Sequence, residues 1–345
     1  MKQKITLRRF DDMHCHLRTG SLLEEVLPFT VRYASRAVVM PNIRPRPIIT
    51  INNLISYSKE IDNALDKIED GELFEPIVAI EIRDNTTPEM IEEASSIGVL
   101  AGKVYPIGTT TNSDEGLRDF DSKSTLEIFR TMEKVGMILL IHGEESDPNI
   151  LVTQREEVFL PRIWHLAVRF PQLKIVLEHI TTRAAIMIVR KLGKNVAATI
   201  TAHHLCLTLN DVIGYGIRPH YGCMPIPKGF DDRDALIDAA TSGDPKFFFG
   251  SDSAPHLQRR KESAVGACGI YSAPVVPQVL AEVFEKAGKL DRLEDFTSRF
   301  GAEFYGIPIN DNGTISLVKS EWTVPEKIGG VIPLFAGANL KWQLA

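Results

Sequence analysis

Phe10-Asp11-Asp12-Met13-His14-Cys15-His16-Leu17 is the stretch on which the reading of this chain turns. It is β-prone along its length and ends in two histidines two residues apart. Alternate residues of a strand face the same side, so His14 and His16 are expected to project together from its C-terminal end. Seven more β-prone runs follow, at residues 36–40, 76–82, 100–105, 138–142, 174–179, 196–200 and 246–250. Most are continuous apolar stretches, as strands covered on both faces should be. Between them lie helical patterns. Leu22, Leu23, Val26 and Leu27 have the spacing of one helical face, and residues 53–68, 88–97, 124–135, 156–170, 182–192 and 233–240 read similarly. Thr87-Pro88 and Thr181-Thr182 are helix-start signals. Strand–helix alternation repeated eight times predicts an α/β fold, a parallel (β/α)8 TIM barrel, with a doubly wound sheet as the alternative.

Two more helical patterns, at 277–287 and 293–305, come after the eighth run, and the tail 310–345 is expected to pack on the outside as a C-terminal extension. One barrel can use all 345 residues, so residues 1–345 are expected to form a single domain. Lys and Arg total 39 against 45 Asp and Glu, a net charge of −6 that argues against a nucleic-acid-binding surface. The first nine residues are basic but carry no apolar run long enough for a secretory signal, and no run is long enough to span a bilayer. Cys15, Cys206, Cys223 and Cys268 are scattered, so a disulfide framework is not expected and a reducing cytoplasm is the expected location.

The ionisable residues fall into a pattern on this map. His14 and His16 end the first strand, Lys103 lies in the fourth, His142 ends the fifth and His179 ends the sixth. Asp252 follows the eighth, in Phe249-Gly250-Ser251-Asp252. Barrel enzymes build their active sites at these strand ends. A lone histidine is more often structural than a ligand, and His165, His203, His204 and His220 keep that bland reading. Joint placement is what points to a metal, because imidazole and carboxylate suit zinc and similar transition metals. A protonated Lys103 beside metal cations would be strongly disfavoured. A neutral, desolvated amine can instead add CO₂ to form an anionic carbamate able to bridge two metals. The alternative is an ordinary interior lysine paired with a carboxylate.

Several longer motifs are also present. They include Asp12-Met13-His14-Cys15-His16-Leu17-Arg18, Val39-Met40-Pro41-Asn42, Gly102-Lys103-Val104-Tyr105-Pro106, Ile141-His142-Gly143-Glu144 and Leu177-Glu178-His179-Ile180-Thr181. Arg218-Pro219-His220-Tyr221, Pro225-Ile226-Pro227-Lys228 and Gly250-Ser251-Asp252-Ser253-Ala254-Pro255-His256 follow, running on to Arg260-Lys261-Glu262-Ser263. Together they resemble the dihydroorotases of the amidohydrolase superfamily, in the compact single-chain class II form. The resemblance implies a zinc-dependent barrel, usually homodimeric, that interconverts N-carbamoyl-L-aspartate and L-dihydroorotate in pyrimidine biosynthesis. It implies two zinc ions per chain, bridged by carbamylated Lys103 and a hydroxide. His14, His16 and Asp252 would hold one ion and His142 and His179 the other. Asp252 would also carry the proton as the catalytic residue. Arg18, Asn42 and His256 would take the substrate carboxylate, and backbone groups near Met224 and Cys268 would meet the ring amide. Thr110 and Thr111 match two threonines of a loop that closes over the substrate. The sequence departs from the class II pattern at Thr19-Gly20-Ser21, where an acidic residue is more usual, and at Cys268, often a small alanine.

The nearest rival is another cyclic-amide hydrolase of the superfamily, a hydantoinase or dihydropyrimidinase. It would share the metal site and differ at Arg18, Asn42 and His256. A non-catalytic barrel scaffold would be expected to lose some of the six ligands, and none is missing. A nucleotide-binding protein is disfavoured because no GxGxxG or Walker-type loop follows a strand.

Overall fold

The computed structural model describes residues 3–345. All eight expected strands form, as β2 (Phe10–Cys15), β3 (Ala34–Val39), β4 (Glu75–Val78) with β5 (Ile80–Ile82), β6 (Ala101–Val104), β7 (Ile138–Ile141), β8 (Ile175–Leu177), β9 (Val196–Ile200) and β10 (Phe247–Phe249). The third barrel strand is therefore two segments rather than the single run expected at 76–82. The break falls at Ala79, which turns its side chain into the barrel. β4 pairs with β3, whereas β5 pairs with β6. From β5 round to β10 every neighbour is parallel and in chain order, the arrangement that right-handed βαβ crossovers produce.

Closure between the first and eighth strands happens just beyond β10. Asp252 N donates to His14 O (2.8 Å), and His16 N donates to Ser253 O (3.0 Å). The buried Asp12 carboxylate ties the same seam, accepting from Ser251 N (2.7 Å) and Tyr33 Oη (2.8 Å). Gly250 makes this approach possible, because a Cβ there would lie 2.9 Å from His14 Cβ.

Side chains segregate by strand parity. Ala101, Ile138, Leu140, Val176, Ala197 and Phe248 fill the barrel interior. Their neighbours Val104, Leu139, Ile141, Ile175, Leu177 and Phe249 pack outward into the helix layer. The interior is thus a packed core, as in TIM barrels generally. The helix Phe300–Tyr305 closes its floor, with the Phe304 ring 5.7 Å from that of Phe248. Helices cover the outside close to the expected spans, for example Pro88–Ser96 capped by the Thr87 side chain and Arg183–Lys191 capped by that of Thr182. Among the described residues no helix is long and apolar enough to cross a membrane.

The tail pairs with a strand that the sequence pattern did not suggest. β1 (Lys4–Arg8), β11 (Thr314–Thr323) and β12 (Asn339–Leu344) form an antiparallel sheet in the order β1-β11-β12. Leu7, Leu317 and Trp342 are buried in it, and Trp342 Nε1 donates to Glu285 of the helix Val276–Lys286 (3.2 Å). Trp342→Ala is expected to cost about 3–5 kcal/mol through the cavity it leaves. Urea unfolding checks this, and a midpoint equal to wild type would show that the sheet adds nothing to the barrel's stability.

Candidate active site

The C-terminal ends of the strands open into a small cavity. Lys103, His142 and Glu178 reach the interior by continuing the inward parity of Ala101, of Leu140 and of Val176. His179 comes next after Glu178 and by parity would point away. Its φ of +41° turns the chain so that both side chains enter. Asp252 has the same φ of +41° after β10. Such values are costly for side-chain-bearing residues and cluster at functional sites. In β2 an irregularity in the pairing between Asp12 and Cys15 sets Met13 in the barrel core while His14 and His16 face the cavity.

Two groups of nitrogen and oxygen donors result. In one, Asp252 Oδ1 lies 3.2 Å from His16 Nε2 and 3.4 Å from His14 Nε2. In the other, His142 Nδ1 lies 3.2 Å from His179 Nε2. The His14 and His179 rings, 5.0 Å apart, connect them. Carboxylates behind the rings set their tautomers. His14 Nδ1 donates to Glu178 Oε2 (2.8 Å), so its Nε2 lone pair faces the cavity. His142 Nε2 donates to Glu144 Oε2 (2.9 Å), so its Nδ1 lone pair faces His179. Thr199 Oγ1 in turn donates to Glu178 (2.6 Å).

Burial governs the charges. It pushes His16 down to about 4 and His179 well below the ordinary histidine range, so both are neutral ligands near pH 7. Burial also pushes Asp252 up, but the adjacent His14 and His16 outweigh it and hold the carboxylate well below its usual range. Lys103 is lowered to about 8 by desolvation, with Glu178 and Asp252 pulling the other way. Lys103 Nζ, His16 Nδ1, His179 Nδ1 and Tyr105 Oη are buried and have no hydrogen-bond partner among the described residues. Unpaired buried polar atoms are expensive. Neutral imidazoles whose lone pairs converge on a carboxylate, or on each other, form a donor set that suits a transition-metal cation. The residues present therefore fit a metal centre.

The other expected residues gather on the rim. Arg18 is not placed by strand parity: β2 ends at Cys15, and a φ of +65° at Arg18 turns it inward. Its Nε donates to Pro255 O (2.8 Å) and its Nη2 lies 3.2 Å from His256 Nε2. Burial, reinforced by the Arg18 charge, drives His256 to about 2 and keeps it neutral. Asn42 Nδ2 donates to Thr111 O (3.0 Å), and Thr111 Oγ1 donates to Cys268 O (3.1 Å), so the 105–113 loop lies folded over the mouth. Met224 and Cys268 line the opposite wall. Cys268 meets its neighbours through its carbonyl, which also lies 2.9 Å from His256 Nε2. His256 and Lys103 lie behind the wall rather than on it.

Tyr105, Glu144 and Glu178 belong to this site and were not singled out from the sequence. The available signal was a carboxylate or phenol within two residues of a ligand at a strand end. Of the histidines read as bland, His203 and His204 are fully buried.

A parallel barrel with imidazoles and a carboxylate converging at its mouth is the architecture of the amidohydrolase class. No protein-family model matches the chain. It is 46% identical over 349 residues to a dihydroorotase from Nitrosomonas europaea, covering 99% of this chain and 98% of the relative. A dihydroorotase crystal structure from Campylobacter jejuni superposes with a TM-score of 0.90 at 36% identity, covering 100% of this chain and 98% of that one. Dihydroorotase from Saccharomyces cerevisiae in complex with 5-fluoroorotic acid gives the same TM-score and identity over 99% and 98%. An L-hydantoinase (dihydropyrimidinase) from Arthrobacter aurescens shares the fold alone, with a TM-score of 0.80 at 15% identity over 99% of this chain and 83% of its own. The chain belongs to the dihydroorotase family, metal-dependent hydrolases that act on a cyclic amide.

The buried histidines make stability pH-dependent. A histidine in an unfolded chain ionises near 6.5, whereas burial holds His203 down to about 4. Between those values the unfolded chain binds the extra proton. Stability therefore falls as pH drops through that window, by about 1.4 kcal/mol per pH unit for this one group. His203→Gln should show a correspondingly shallower loss of unfolding free energy on acidification, measured by urea denaturation. Parallel slopes for variant and wild type would mean that His203 titrates alike in both states.

Proposed function

We propose that this chain reversibly interconverts N-carbamoyl-L-aspartate and L-dihydroorotate, the cyclic-amide step of pyrimidine (UMP) biosynthesis. It acts as a cytoplasmic homodimer of single-domain subunits carrying two zinc ions per chain. The observation that carries this reading is a buried, unpartnered Lys103 amine beside two converging ligand groups. His14, His16 and Asp252 would hold one ion and His142 and His179 the other. Lys103, as a carbamate formed from CO₂ with loss of a proton, would supply an anionic ligand shared by both. When bound, the zinc ions lower the pKa of water to supply a nucleophile near neutral pH and polarise the ring carbonyl.

The chain's own residues do the rest. Glu178 and Glu144 fix the tautomers of His14 and His142, so that each offers a lone pair to the cavity. Asp252, whose carboxylate is ionised, accepts a proton at Oδ1 during hydrolysis and returns it to the departing amide nitrogen. Ring closure runs the same transfers backwards. Arg18 stays protonated, although burial lowers it to about 10. Its guanidinium pairs with the substrate carboxylate, which lies outside the reacting bond. Asn42 completes that contact, and neutral His256 braces Arg18 from behind. Backbone groups at Met224 and Cys268 read the ring amide, and Thr110 and Thr111 keep the 105–113 loop closed to exclude water. 5-Fluoroorotate, the ligand of the yeast relative, is expected to bind the same cavity.

Lys103→Ala is expected to lose one of the two zinc ions and nearly all turnover of dihydroorotate. Short carboxylic acids should restore part of both by filling the gap left by the carbamate. Metal analysis alongside ultraviolet assay of dihydroorotate checks this, and full activity in Lys103→Ala would rule out the bridge.

Arg18→Ala should keep its metals but lose about 2–4 kcal/mol of transition-state binding, roughly 30- to 1000-fold in kcat/KM. An unchanged kcat/KM would remove Arg18 from the site. A hydantoin lacking the carboxylate should be a poor substrate for the wild-type protein. Efficient turnover of that hydantoin would favour the hydantoinase reading.

A further inference from the structure

Outside the metal centre the chain buries a second lysine against its cavity wall. Lys261 ends the short helix Gln258–Lys261, and its side chain turns inward. Nζ donates to Gly222 O (2.8 Å) and to Gly269 O (2.6 Å). These carbonyls belong to the two segments that form the ring side of the cavity. Gly222 lies two residues before Met224, and Gly269 directly follows Cys268. Gly269 N also donates to Gly222 O (2.9 Å). The packing there admits only glycine, because at φ +143° a Cβ on residue 269 would come within 2.7 Å of Ala254 O.

Two carbonyl dipoles pointing at one spot repel each other, and a cation between them turns that repulsion into attraction. Burial of an ammonium is costly and lowers Lys261 to about 8, so only a specific gain keeps it there. The gain is visible on the cavity side. With the two segments pinned together, Cys268 O is presented to both His256 Nε2 (2.9 Å) and Thr111 Oγ1 (3.1 Å). One lysine therefore stands behind the wall that joins the carboxylate-binding corner to the closed loop.

We propose that Lys261 is a positioning residue that sets substrate fit: its ammonium fixes the spacing of the 222–224 and 268–269 segments, and through them the grip on the cyclic amide ring. The inference rests on the dihydroorotate reading above. A contact made equally to bound substrate and to transition state raises KM when lost and leaves kcat nearly unchanged. Lys261→Met, which keeps the stem and removes the charge, is therefore expected to raise KM for dihydroorotate and Kd for 5-fluoroorotate by about tenfold or more. Its kcat should stay within about threefold of wild type and its zinc content should be unchanged. Lys261→Gln, which keeps a donor, should lie between the two. Calorimetric titration with 5-fluoroorotate, steady-state kinetics and metal analysis on the same preparations give all four readings. Folded variants with wild-type KM and Kd would overturn the proposal. So would loss of zinc with collapse of kcat, which would move Lys261 to the metal centre. Failure of both variants to fold would make it a folding residue and end the proposal too. A wild-type protein that neither turns over dihydroorotate nor binds 5-fluoroorotate would instead overturn the underlying reading.

Discussion

The seam where the eighth strand meets the first is the constraint on which the site depends. A barrel must close, and here closure is made by backbone hydrogen bonds from Asp252 N to His14 O and from His16 N to Ser253 O. Those bonds bring the last ligand of the chain to the first two, across nearly 240 residues of sequence. The Asp12 carboxylate locks the same joint from the opposite side by holding Ser251 N and Tyr33 Oη. Gly250 is part of the same device, since a Cβ there would meet His14 Cβ at 2.9 Å and Thr199 Cγ2 at 3.0 Å.

Electrostatics follow from that closure. Bringing four imidazoles, a lysine and three carboxylates out of water is unfavourable unless the charges are matched or suppressed. The protein does both. Glu178 sits against His14, and Asp252 lies between His14 and His16. His16, His142 and His179 are kept neutral by burial, helped by the surrounding positive groups. What is left over is a set of unpaired nitrogens, with Lys103 Nζ foremost. A core built only for stability would not retain them, which is why they mark chemistry.

The rim uses a different principle. Its residues come from loops and are held mainly by backbone carbonyls: Pro255 O anchors Arg18, Thr111 O anchors Asn42, Cys268 O anchors His256 and Thr111, and Gly222 O and Gly269 O anchor Lys261. Loops positioned by a rigid barrel are where specificity is usually adjusted. Of the departures from the class II pattern, Cys268 falls on this rim and residues 19–21 lead into the helix Gly20–Val31; neither is at the ligands. Cys268 contributes its carbonyl, so the change of side chain leaves those contacts intact.

Much of this was legible in the sequence, because the relevant signals are local. Continuous apolar runs between amphipathic stretches define the eight strands, and parity along β6 and β7 turns Lys103 and His142 inward at strand ends, whereas His14 and His16 face the cavity through the irregularity in β2. Other features were not legible. Parity would send His179 outward, and only the turn at φ +41° brings it in beside Glu178. The split of the third strand at Ala79, the pairing of β1 with the tail and the burial of His203 and His204 depend on partners far away in sequence. The roles of Glu178, Glu144 and Lys261 as orienting groups were hidden for the same reason. What the sequence determined by itself was the periodicity of its elements and the identity of the donors they carry. Only the tertiary structure decided which donors meet, which lone pairs face the cavity and which charges survive burial, because those depend on through-space distances and desolvation that barrel closure creates.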